Sequence, residues 1–262
     1  MGQYVSKKAA TTGVVASSSA AEPPVPTRRV RIAGVLLTLS VPPNPTGLTF
    51  LLPGAMLSET SYESTRQILH YQQRQIVMSF YINVITQSHD AYATKVQRIL
   101  EAYFDNQDNK HLAKQLTAYH LVGHSVGGKI ALLCATANQL RRRLSRQPKT
   151  NRNMVIPPLG VVLALDPVDD HPPEFTDNNS STNRLLKDHT AQRLILTHAT
   201  ATKPSWAIPP AHNAQAIYDS STTTTTTPRT QQREHVTLRI HKDASHMAYT
   251  DNGGGMMGRM MM

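Results

Sequence analysis

The chain has 262 residues, of which 39% are hydrophobic and only 5% are aromatic. This length suits one α/β domain, and no apolar run reaches the roughly 20 residues that a membrane-spanning helix needs. The single cysteine, Cys134, excludes a disulfide framework and a zinc site built on several thiolates. The net charge of +10 favours anionic surfaces but does not indicate a fold.

Both ends of the chain differ in composition from its middle. Residues 1–27 begin with a Ser- and Ala-rich stretch that lacks acidic residues, and residues 252–262 are rich in glycine and methionine. We expect both segments to be disordered and residues 28–251 to form a single ordered domain. Within that domain, the threonine run at residues 222–227, which Pro228 follows, predicts a surface loop.

The first residues carry a separate signal. Gly2 and Ser6 fit the pattern for N-myristoylation, and Lys7 and Lys8 would add attraction to anionic lipid. The pattern predicts a peripheral membrane protein that faces the cytoplasm. An organelle transit peptide stays open as the alternative, because the segment is rich in serine and poor in acidic residues.

Predicted strands and helices alternate along the middle of the chain. The predicted strands are residues 30–41, 49–52, 75–82, 119–123, 159–165, 193–198 and 235–240. The predicted helices cover residues 62–72, a segment from Tyr92 to Tyr103 with apolar residues at helical spacing, and a segment that begins at Val126. This order predicts an α/β fold, with a mostly parallel sheet, helices on both faces and the functional site at the carboxyl ends of the strands.

The segment GHSVGG at residues 123–128 follows a predicted strand and begins a predicted helix. It matches the pattern G-x-S-x-G, in which a serine occupies a sharp strand-to-helix turn with its hydroxyl exposed at the sheet edge. Ser125 is therefore the predicted nucleophile. His124 is expected only to pack, because adjacent side chains on an extended segment point apart.

Two backbone N–H groups are predicted to stabilise a substrate oxyanion. The first belongs to Val126, directly after the serine, at the start of the helix. The second is expected from the loop that follows strand 49–52, where either Ala55 or Met56 could supply it.

A serine nucleophile needs a base and a carboxylate that orients the base. Asp166 directly follows strand 159–165 and is the expected acid, while Asp169 and Asp170 are its nearest rivals and would otherwise be solvated loop charges. His246 is the expected base, because its polar loop after the last strand can fold back over the nucleophile. His241, at the end of that strand, is the rival.

Three motifs resemble those of the chlorophyllases, a family of the α/β-hydrolase superfamily. GHSVGG at residues 123–128 resembles the family's GHSRGG elbow, LDPVD at 165–169 its DPV segment, and SHM at 245–247 its segment around the triad histidine. The resemblance spans about residues 46–251. It implies an α/β-hydrolase catalytic domain over residues 28–251 and a triad of Ser125, His246 and Asp166 that needs no metal or organic cofactor.

The resemblance also implies an activity. It implies a serine carboxylic-ester hydrolase that cleaves chlorophyll to chlorophyllide and phytol, with a plastid as the second candidate location. Because the DPV segment also occurs in some lipases, a lipase or general carboxylesterase is one alternative, and a non-catalytic binding protein is another. The expected partners are a hydrophobic ester and a membrane surface. The basic residues lack the interleaved aromatics and the motifs typical of nucleic-acid binding.

We expect Gly2→Ala to move the protein from the membrane fraction of a eukaryotic cell to its soluble fraction. An acyl chain contributes about 0.8 kcal/mol of membrane affinity per buried methylene, and Lys7 and Lys8 would each add about 1 kcal/mol at an anionic leaflet. Mass spectrometry of the mature N-terminus checks the acylation directly. A free or cleaved terminus would contradict it and favour a transit peptide.

Overall fold

The structure, a computed structural model, describes residues 23–136, 155–169, 175, 191–200, 214–223 and 236–251. The acylation signal at Gly2, the Gly/Met tail at 252–262 and Asp170 lie outside these residues. Val25 is buried and its N–H donates to Glu63, so contacts of the domain extend upstream of residue 28. Among the residues described, no helix has the length and apolar character needed to cross a bilayer.

The described residues form one eight-stranded sheet in the order β1-β2-β4-β3-β5-β6-β7-β8. The strands are β1 Arg28–Ile32, β2 Val35–Ser40, β3 Gly47–Leu52, β4 Gln75–Ser79, β5 Tyr119–His124, β6 Leu159–Leu165, β7 Arg193–Ala199 and β8 Val236–His241. β2 pairs antiparallel with β1 and β4, and the pairings among β3 to β8 are parallel. The predicted fold class, a mostly parallel sheet with helices on both faces, is therefore confirmed.

The helices connect these strands. They are α1 Glu63–Gln67, α2 His89–Asp105, α3 Leu112–Gln115, α4 Val126–Thr136 and α5 Ala214–Thr223. α1 continues a short 3-10 helix at Glu59–Tyr62 and runs into a π-helical turn at Ile68–Gln72, and a second 3-10 helix spans His246–Tyr249.

Each face of the sheet carries its own core. Because successive side chains of a strand point to opposite faces, Phe50 packs in the cluster formed by α2, α4 and α5, whereas Leu51 packs in the cluster of the other face. The second cluster includes Tyr62 and Tyr249 from the two 3-10 helices. Both segments thus lie against the face of the sheet opposite α4.

The structure corrects the predicted strand over residues 30–41. This stretch is a hairpin of β1 and β2, and the chain turns at Ala33 and Gly34, whose φ angles are 49° and 80°. Two successive positive φ angles are typical of a type I′ turn, which matches the twist of the paired strands. The turn was not predicted from the sequence, because apolar residues flank it on both sides and make the stretch resemble one continuous strand.

The structure also corrects the end of one predicted strand and the start of one predicted loop. The strand predicted over residues 75–82 ends at Ser79, where its pairing with β2 also ends. The threonine run predicted as a loop at 222–227 enters α5, which ends at Thr223, so its first two residues are helical. Ala214 and Ile217 anchor this helix in the core, which offsets the weak helix propensity of threonine.

The turn between β5 and α4 brings backbone segments into direct contact. A Cβ atom on Gly123 would collide with the backbone of Gly127, and a Cβ on Gly127 would collide with the carbonyl oxygens of Leu52 and Pro53. The two glycines therefore allow α4 to start against the end of β3.

We expect Gly127→Ala to lower the free energy of unfolding by about 3 kcal/mol, because the new methyl group would force backbone apart rather than a flexible side chain. Gly34→Asn is the matched control. Gly34 has open space around its Cβ position, and asparagine tolerates its positive φ. Chemical denaturation measures both variants, and equal losses of stability would contradict the steric argument.

Candidate active site

Ser125 lies in the sharp turn between β5 and α4. Its φ of 56° is unusual for a residue other than glycine. Its N–H donates to the carbonyl of Leu165 at 2.9 Å, and its own carbonyl accepts from the N–H groups of Lys129 at 3.1 Å and Val168 at 3.3 Å. The neighbouring strand and its loop thus hold the backbone of Ser125 in this strained conformation.

Asp166 follows β6 directly and is buried, with 2% of its surface exposed. Its N–H donates to the carbonyl of Thr197 at 3.0 Å, and its Oδ1 accepts from the N–H of Ala199 at 3.2 Å. Its Oδ2 lies 2.8 Å from Nδ1 of His246. The end of β7 therefore orients this carboxylate toward the histidine.

His246 begins the 3-10 helix after β8 and is 7% exposed. Because an ionised carboxylate can only accept, Nδ1 of His246 carries the proton that it donates to Asp166. In the neutral ring, Nε2 then holds the lone pair that a general base needs. Among the described residues the Ser125 hydroxyl has no hydrogen-bond partner, and such catalytic links often close only when substrate binds.

Asp169, the rival acid, has a different environment from the one expected. It is fully buried rather than solvated, and its Oδ1 lies 3.1 Å from Nζ of Lys129, which is also fully buried. Its Oδ2 accepts from the N–H of Phe175 at 2.7 Å. Asp169 therefore ties the loop after β6 to α4, one turn after the serine.

His241, the rival base, ends β8 and contributes through its backbone. Its carbonyl accepts from the N–H groups of Thr200 at 3.2 Å and Ala244 at 3.4 Å, which turns the chain toward His246. A histidine that the sequence analysis did not select, His198, lies with Nδ1 3.8 Å from Oδ1 of Asp166. Its position on β7, beside the end of β6, is what places it there.

The two loop candidates for the second oxyanion donor differ in whether their backbone N–H already donates a hydrogen bond. The N–H of Met56 donates to the carbonyl of Ile82 at 3.0 Å and is therefore already used. The N–H groups of Ala55 and Val126 form no hydrogen bond with any residue of the described ranges. A Cβ on Gly54 would lie 3.4 Å from Cβ of Ser125, so this loop borders the nucleophile and leaves Ala55 as the candidate.

His124 was expected only to pack, but its ring also forms two hydrogen bonds. It is 1% exposed, its Nε2 lies 2.9 Å from the carbonyl oxygen of His246, and its Nδ1 lies 2.7 Å from the hydroxyl of Tyr62. Sequence reasoning missed Tyr62, because no local pattern connects residues this far apart in the chain.

Within the described ranges, no group of three or more His, Cys, Asp or Glu side chains could hold a metal ion.

Comparisons with known proteins identify the fold. No protein-family model matches the chain, and no curated protein matches it. Among solved structures, TT1662 from Thermus thermophilus is similar, with a TM-score of 0.52 and 13% identity over 85% of this chain and 90% of that chain. Thermogutta terrifontis esterase 2 phosphorylated by paraoxon has a TM-score of 0.53 and 13% identity over 89% and 88%. Together with the sheet, these neighbours show that the chain has the α/β-hydrolase fold.

Proposed function

We propose that the chain is a serine carboxylic-ester hydrolase. The observation that carries this proposal is the 2.8 Å hydrogen bond between Asp166 and His246 at the sheet edge where Ser125 lies in its strained turn. These are the three residue types, in the chain order Ser, Asp, His, that acyl transfer uses on this fold. A structural neighbour is named as an esterase that paraoxon phosphorylates, which is compatible with this chemistry.

The proposed reaction starts with attack of the Ser125 hydroxyl oxygen on the ester carbonyl carbon, while Nε2 of His246 takes the hydroxyl proton. Asp166 keeps the ring oriented and stabilises the imidazolium that forms. The N–H groups of Val126 and Ala55 stabilise the negative charge on the carbonyl oxygen. As the carbon–oxygen bond to the alcohol breaks, the alcohol takes the proton from His246 and leaves.

The acyl group then occupies the oxygen of Ser125, and water releases it. His246 removes a proton from the water as its oxygen attacks the acyl carbon. The proton returns to the serine oxygen when the carboxylic acid leaves. The protein thus ends in its starting protonation state.

Exposed apolar side chains near this edge support a hydrophobic substrate. Met56 is 56% exposed, Tyr81 49%, Ile85 77% and Met247 37%. Met56 follows β3, Tyr81 and Ile85 follow β4, and Met247 lies in the 3-10 helix after β8, so these residues belong to the segments at the carboxyl ends of the strands. Within the ester class, we propose chlorophyll, with its phytyl ester, as the substrate.

The substrate proposal is tested by offering the purified protein chlorophyll, a triacylglycerol emulsion and a short-chain 4-nitrophenyl ester side by side. Release of chlorophyllide at the highest kcat/KM supports the chlorophyll assignment. Preference for the triacylglycerol or the aryl ester would instead identify a lipase or a general carboxylesterase. If the protein hydrolyses none of them and paraoxon does not modify Ser125, a non-catalytic binding role replaces the proposed function.

Ser125→Ala is expected to lower kcat by roughly 10⁴- to 10⁶-fold, because the attacking oxygen is lost. His246→Ala should give a similar loss, whereas Asp166→Asn should cost up to about 10⁴-fold by disturbing the histidine tautomer. Initial rates with a 4-nitrophenyl ester measure these effects, and thermal unfolding verifies that each variant is folded.

His241→Ala is the matched control for the base, since it removes a histidine on the same stretch of chain. It should retain most of the activity, because its ring only packs edge-on against Tyr249, with 6.0 Å between the centroids, and its backbone carbonyl, which turns the chain toward His246, is unchanged. If His241→Ala abolishes activity while His246→Ala keeps it, the base has been assigned to the wrong residue.

A further inference from the structure

Tyr62 and His124 form a buried connection between the oxyanion loop and the segment that carries His246. The N–H of Gly54 lies 2.9 Å from the Tyr62 hydroxyl, which lies 2.7 Å from Nδ1 of His124. Nε2 of His124 lies 2.9 Å from the carbonyl oxygen of His246. We call this chain of three hydrogen bonds the Tyr62–His124 bridge.

The chemistry of the end groups fixes the direction of every hydrogen bond in this bridge. A backbone carbonyl can only accept, so Nε2 of His124 donates to His246, and Nδ1 of the neutral ring must then accept. The Tyr62 hydroxyl supplies that proton. Its oxygen accepts in turn from the N–H of Gly54, which can only donate. All polar groups along the bridge are thus satisfied in one tautomer.

The surroundings of the bridge keep it in this state. His124 is 1% exposed, and burial, together with the nearby His246, lowers the pKa of its ring to about 3. The ring is therefore neutral around pH 7. Burial also raises the pKa of Tyr62, so its hydroxyl keeps its proton.

Close packing reinforces the bridge. A Cβ on Gly54 would lie 3.2 Å from Nδ1 of His124, and the ring centroids of His124 and His246 are 4.6 Å apart. The far end of the His246 segment is held by the same region of the chain, since Asp251 accepts a hydrogen bond from the N–H of Ser64 at 3.1 Å. The chain around Tyr62 and Ser64 therefore holds this segment directly at Asp251 and, through His124, at His246.

We propose that Tyr62 and His124 are positioning residues, which hold the oxyanion loop at Gly54 and the backbone of His246 in one fixed relation. The inference rests on the proposed function: an oxyanion donor and a base must reach the same ester group, and they belong to loops far apart in sequence. Neither residue touches the substrate. They act by fixing the relative position of the groups that do.

The test compares Tyr62→Phe and His124→Leu with the parent protein. Paraoxon titration counts the active Ser125, because phosphorylation of its oxygen releases one 4-nitrophenolate, and kcat with a 4-nitrophenyl ester is expressed per titrated site. We expect both variants to lose roughly 10- to 100-fold in kcat, with KM changed by less than about 2-fold, because small misplacements of catalytic groups cost rates of this order.

Two matched variants separate positioning from simple packing. In His124→Gln the side-chain oxygen and nitrogen can replace Nδ1 as acceptor and Nε2 as donor, so kcat should recover to within about 3-fold of the parent. Tyr103→Phe removes a buried hydroxyl on α2, in the other core cluster, and should alter thermal stability without altering kcat.

The outcomes distinguish this inference from the function on which it rests. If Tyr62→Phe and His124→Leu keep kcat within about 2-fold of the parent and lose only stability, as Tyr103→Phe does, the positioning role is overturned and the proposed function stands. A failure of His124→Gln to recover kcat beyond His124→Leu would also overturn it. A parent protein without Ser125-dependent ester hydrolysis overturns both proposals.

Discussion

The candidate site depends on the contact between the backbone of the serine turn and the end of β3. Gly127 lies so close to the carbonyls of Leu52 and Pro53 that no side chain fits between them. This contact places the first N–H groups of α4 beside the loop that follows β3. The N–H groups of Val126 and Ala55 can then face one oxygen atom, although about seventy residues separate them in the sequence.

Buried polar contacts fix the loops around that turn. Asp166 receives hydrogen bonds from the backbone of β7 and from His246, and the pair of Lys129 and Asp169 ties the loop after β6 to α4. Breaking one partner of such a buried pair leaves an uncompensated charge, which is costly in a low-dielectric interior. The loops are therefore restrained by interactions that tolerate few substitutions.

The sequence predicts the parts of this arrangement that follow from local pattern. Ser125 could be found from the G-x-S-x-G pattern after a predicted strand, and Asp166 because it directly follows the apolar strand β6. Parallel strands end at one edge, so the two residues were expected to lie together. The role of His124 could not be predicted, because its partners come from distant parts of the chain. The same holds for the N–H of Met56, which a carbonyl after β4 occupies. The fold class could also be predicted from local pattern, because strands and helices alternate along the chain. The β1–β2 turn at Gly34 could not, because apolar residues flank it on both sides.

The outer strands of the sheet have a consequence for solubility during and after folding. An open sheet exposes unpaired backbone groups along its edges, which can recruit strands from other copies of the chain. β1 carries three exposed arginines, Arg28, Arg29 and Arg31, and β8 at the opposite edge carries exposed Arg239. Two copies that approached edge to edge would bring these cations together. The arginines thus act as a barrier to sheet extension, and the +10 charge of the chain works in the same direction at long range.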